Sequence, residues 1–130
     1  MNQTRVSPNR TRALASGMFV FVAVFAAIVW YLVRPYGSVY FFPVHFLIGL
    51  GLPFLFYAIG ATGGWFRVGL VATAVLLAAF NVWGHEAGAA APRVMDWSNA
   101  FAGLVGLVLA WGVQRIQARA RPPHRPSEGR

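Results

Sequence analysis

The stretch ALASGMFVFVAVFAAIVWYLV, residues 13–33, carries no charged side chain. Wound as a helix at about 1.5 Å per residue it is roughly 30 Å long, the thickness of a bilayer's hydrocarbon core. Three more charge-free stretches follow, over residues 35–66, 68–84 and 97–114. Between Arg12 and Arg115 only Arg34, Arg67, Glu86, Arg93 and Asp96 are charged, and they punctuate the apolar runs. With 58% hydrophobic and 11% charged residues in 130, the chain lies outside the range of soluble domains. The reading is an all-α integral membrane four-helix bundle, with spans near 13–33, 39–59, 65–84 and 97–118.

The net charge of +8 does not point to nucleic acid. Arg5, Arg10 and Arg12 precede the first span, and Arg115, Arg119, Arg121, Arg125 and Arg130 follow the start of the last turns of the fourth. Basic flanks of this kind mark the cytoplasmic side of a membrane helix, so both termini are expected to be cytoplasmic. The arginines are then placed to meet anionic headgroups. The expected location is a bacterial inner membrane, crossed several times. Residues 1–12 read as a basic arm and residues 122–130, opened by Pro122-Pro123, as a disordered basic tail. The apolar run at 13–33 is longer than the core of a cleaved signal, so it reads as a retained first helix. Cysteine is absent, which removes disulfide and thiolate chemistry.

Local punctuation refines the spans. Arg34-Pro35 ends the first helix, because proline has no N–H to continue it. Pro43 falls in the first turns of the second helix, while Pro53 lies in its interior and predicts a kink near residues 49–53. Gly60-Ala61-Thr62-Gly63-Gly64 reads as a tight turn, residues 85–95 as a loop, and Asp96 as the N-cap of the fourth helix. Ala102, Gly106 and Ala110 recur every four residues along that helix, with Asn99 and Gly103 beside them. Small residues so spaced let helices approach closely in lipid, here within one bundle before a seam between two copies.

This topology gathers His45, His85, Glu86, Arg93, Asp96 and Asn99 near the outer face. Polar groups at membrane depth are costly unless partnered, so they turn inward. Four roles are open to such a cluster. It could be structural pairing and capping; a pocket for a lipid or cell-envelope precursor headgroup; a metal site of histidine and carboxylate; or a haem-type ligand at His45. The spacing matches no metal-ligand signature, and no cofactor is assigned. No nucleophile, zinc-protease or phosphate-loop motif occurs, so no enzyme activity is assigned either.

Several of these features occur together in a known order. His45-Phe46 opens the second span, Glu86 ends the third, and Pro92-Arg93 occupies the following loop. Asp96-Trp97-Ser98-Asn99, Gly103 and Gly106 then open the fourth. Over residues 14–113 this resembles the VanZ-like family, small bacterial membrane proteins named for low-level teicoplanin resistance. Together with the outer cluster, it leads to the expectation of a non-catalytic, VanZ-like envelope protein that binds a lipid or precursor headgroup there. The alternative expectation is an accessory subunit of a larger respiratory or photosynthetic membrane complex, with homo-oligomers also allowed.

Overall fold

A computed structural model describes residues 8–83 and 96–119. It contains four long helices: α1 (Pro8–Val33), α2 (Phe42–Gly60), α3 (Gly63–Trp83) and α4 (Trp97–Arg119). Each is long and apolar enough to cross a membrane. Large apolar side chains such as Phe21, Tyr31, Val71, Phe101 and Ile116 are exposed around the outside. In water that surface would be a liability; facing lipid tails it costs nothing.

The elements begin and end where backbone chemistry dictates. α1 starts at Pro8, ahead of the residue-13 boundary expected from charge. Charge limits what enters hydrocarbon, whereas a helix can extend beyond it, and Thr11 and Ala15 are already buried. Residues 8–12 therefore belong to the helix and not to a separate arm. Two short 3₁₀ turns, Arg34–Tyr36 and Ser38–Phe41, join α1 to α2 through Gly37. Gly37 has φ +94°, a conformation that suits glycine. These turns delay α2 to Phe42, so that Pro43 sits in its first turn, where a missing N–H is harmless. α2 then runs as one helix through the buried Pro53.

Between α2 and α3 the turn is tight. Ala61 caps α2 in the left-handed region at φ +53°, its N–H bonding to the Tyr57 carbonyl at 2.8 Å. The Thr62 hydroxyl then accepts the Trp65 N–H at 3.3 Å, capping α3. The tail at 122–130 and the 85–95 loop lie outside the described residues.

α2 is the hub. It packs closely against α4, α1 and α3, while α3 and α4 approach each other less and α1 has its main seat on α2. A different glycine serves each neighbour. A Cβ on Gly49 would overlap the carbonyl oxygen of Gly103 in α4, and one on Gly51 would come within 2.7 Å of Val22 in α1. A Cβ on Gly60 would strike the Trp65 indole at the start of α3. From the other side, a Cβ on Gly106 would collide with the Phe46 carbonyl and lie 2.9 Å from the Leu50 nitrogen. The α2 and α4 backbones therefore touch. Hydrocarbon drives no helices together by exclusion, so this close packing is the main attraction available.

The stripe that α4 buries is Asn99, Gly103, Gly106 and Ala110. Ala102 lies on its flank, half-buried. Near the chain-terminal end, Ala15, Phe54, Tyr57, Phe66 and Ala110 form the core cluster. Phe66 meets Phe54 and Tyr57 edge-on, at centroid separations of 5.5 and 5.8 Å. That cluster brings the start of α1 and the end of α4 to the same end of the bundle. We call it the terminal end, and the opposite end the polar end.

The α2–α4 contact gives a direct expectation. Gly49→Ala and Gly106→Ala should each destabilise the folded protein in detergent by about 1–3 kcal/mol, the cost of overpacking a tight seam. Gly112→Ala, where an added Cβ meets nothing within 4 Å, should leave it unchanged or slightly stabilised. Thermal unfolding of the three variants checks the pattern.

Candidate functional site

Three helices contribute polar side chains at the polar end. The helices α2 and α4 run in the same direction, and their glycine contacts set Gly49 between Gly103 and Leu107, which puts His45 between the levels of Asn99 and Gly103. α3 runs the other way. Leu77 of α3 lies against Gly103, 2.8 Å from where its Cβ would be. One turn further out along each helix are Asn81 and Asn99. Asn81 and Asn99 therefore lie near one level, His45 stands within a turn of them, and Asp96 one turn beyond Asn99.

Asp96 organises the start of α4. Its Oδ1 accepts the Ser98 N–H at 3.1 Å, the Ser98 hydroxyl at 2.6 Å and the Asn99 N–H at 3.3 Å. Its Oδ2 accepts the Asn99 side-chain amide at 2.8 Å. This is the N-cap expected from sequence, extended by two side chains. Partial burial raises the Asp96 pKa, but the hydrogen bonds from Ser98 and the Asn99 backbone outweigh it. The carboxyl ends below its ordinary value of 3.8. It is a carboxylate at neutral pH.

His45 lies in the first turn of α2, shallower than a helix starting at residue 39 would place it. Its Nδ1 donates to the Phe41 carbonyl at 3.0 Å, so the proton sits on Nδ1. The Nε2 position makes no hydrogen bond among the described residues. The ring is half-buried. Nε2 is thus the part of the ring that a ligand could use.

Asn81 escapes a reading based on charge. It is 4% exposed, and its side-chain amide donates to the Leu77 carbonyl at 2.9 Å. Its Oδ1 is buried and has no hydrogen-bond partner among the described residues. Leaving a buried acceptor unpaired costs about 1–3 kcal/mol. Thr73, fully buried two turns deeper, satisfies itself by donating to the Gly69 carbonyl at 2.6 Å. An amide or hydroxyl in an otherwise apolar span is the signal that would have found both.

His85, Glu86 and Arg93 lie outside the described residues. Among the described residues, no three histidine, aspartate or glutamate side chains gather to hold a metal ion. Comparison with family models, curated proteins and solved structures finds no match for the chain.

The cap makes two expectations. Asp96→Ala should cost about 1 kcal/mol of stability, the usual worth of an N-cap, and Asp96→Asn much less. A carboxyl whose folded pKa is depressed stabilises above its unfolded pKa and loses that contribution as pH falls through the folded value. The stability gap between wild type and Asp96→Ala should therefore be full at neutral pH and narrow below pH 3.8. Unfolding measured across an acid pH series checks both.

Proposed function

We propose that this multi-pass membrane protein is a non-catalytic, VanZ-like envelope protein whose polar end binds the headgroup of a lipid or lipid-linked cell-envelope precursor. The observation that carries the reading is the Asn81 acceptor, buried without a described partner at the polar end. A layer serving only to hold helices together would be expected to satisfy itself, as Thr73 does. Asn81 Oδ1, His45 Nε2 and the Asp96 carboxylate supply acceptor groups that suit hydroxyls, amides and ammonium groups of a headgroup. On this reading the polar end faces outwards and the termini face the cytoplasm of a bacterial inner membrane. His85, Glu86 and Arg93 would complete the site from the loop between α3 and α4.

The accessory-subunit reading draws on a different observation. α1 has its main seat on α2, and its outward face carries Phe21, Phe25, Ile28 and Tyr31 exposed. A larger membrane complex could seat that face. Purification in mild detergent separates the two readings: co-purifying subunits or a visible absorbance band favour the complex.

For the headgroup reading, the test is teicoplanin tolerance of a susceptible host expressing the chain. Wild type should raise tolerance, and His45→Phe and Asp96→Asn should abolish the gain at unchanged membrane levels. Asn81→Leu should also abolish it while holding or raising thermal stability, because an unpaired polar atom is replaced by an apolar group. Tolerance unaffected by all three substitutions, or an Asn81→Leu protein that is clearly less stable, would defeat the proposal.

A further inference from the structure

At the terminal end, α3 and α4 diverge enough to leave an open apolar groove of about 300 Å³, lined by Leu70, Val71, Ala74, Leu107, Val108 and Trp111. Two arginines continue its walls. Arg67 precedes Leu70 and Val71 by three and four residues, and Arg115 follows Trp111 by four, so each shares a helix face with the lining. Because α3 and α4 run in opposite directions, both arginines come to the same mouth of the groove. Both are exposed.

Neither guanidinium has a counterion nearby in the described structure. Asp96 is the only described acidic residue, and it lies at the other end of α4. The helix dipole favours a cation at the end of α4 but disfavours one near the start of α3, where Arg67 sits. Arg67 is therefore an exposed cation that an anion from outside could pair. Arg115 is ordered to share it, its guanidinium stacked 5.0 Å from the Trp111 ring centroid. Guanidinium groups bind phosphate through paired hydrogen bonds, and the groove beneath them is wholly hydrocarbon.

We infer that the α3–α4 groove is an anionic phospholipid site, with one acyl chain lying along Ala74 and Trp111 and the lipid phosphate held between Arg67 and Arg115. It is separate from the polar end and does not depend on the function proposed there.

The test titrates the purified full-length protein in neutral detergent with phosphatidylglycerol or phosphatidylcholine carrying brominated acyl chains. Bromine quenches nearby tryptophan, and the part of the quenching lost in Trp111→Phe reports the groove. That part should reach its midpoint at roughly tenfold less phosphatidylglycerol than phosphatidylcholine, from two arginines near an anionic group. R67Q/R115Q should bring the two midpoints together, while the charge-keeping R67K/R115K should retain most of the difference. A74F, which fills the groove, should suppress the Trp111 quenching by both lipids. Equal midpoints in wild type, or a preference that survives R67Q/R115Q, would overturn the inference. So would absence of Trp111 quenching in a protein whose mass is that of two copies, since the groove would then be covered by its own kind.

Discussion

Backbone contact between α2 and α4 governs the rest of this bundle. In lipid, helices associate through packing and hydrogen bonds, without the expulsion of water that compacts soluble domains. Gly49, Gly103 and Gly106 remove the side chains that would hold the two backbones apart. That approach brings His45 beside the start of α4 and buries Asn99. It also draws α4 toward α2 more than toward α3, and the groove bounded by Leu70 and Trp111 is what remains between them. One close contact thus shapes both the polar layer and the apolar groove.

The two ends differ in chemistry as a result. At the polar end, acceptors dominate: the Asp96 carboxylate, the Asn81 carbonyl and the open ring nitrogen of His45. At the terminal end, Arg67, Arg115 and Arg119 leave positive charge without described acidic neighbours. Each end also carries a tryptophan–arginine pair one turn apart, Trp30 with Arg34 and Trp111 with Arg115, at 5.3 and 5.0 Å. Such pairs suit the headgroup region, where an apolar ring and a charged tip find different surroundings.

Much of the fold is legible in the sequence because lipid imposes one simple demand, a charge-free run of spanning length. The four helices follow from the positions of Arg34, Arg67, Asp96 and Arg115. Their ends are less legible where charge and backbone disagree: α1 begins at Pro8, and the 3₁₀ turn at residues 38–41 moves His45 to the first turn of α2. The small residues of α4 announce a seam, but its phase depends on the partner. A strict four-residue step selects Ala102, whereas the buried positions step by four, three and four from Asn99. The Asp96 cap is readable from residue type alone. Asn81 is harder, since an uncharged amide barely alters a hydropathy profile. The groove is harder still, because its width depends on how far two helices diverge.

The hub arrangement has a consequence for biogenesis. The helix that α2 fits most closely is α4, which leaves the ribosome last of the four. Until then Gly49 faces lipid where it will later meet the Gly103 carbonyl. The α1–α2 seat at Val22 and Gly51 and the α2–α3 turn around Trp65 can form earlier, since both join neighbours in the chain. Chain order thus leaves the tightest seam of the bundle until the last helix is made.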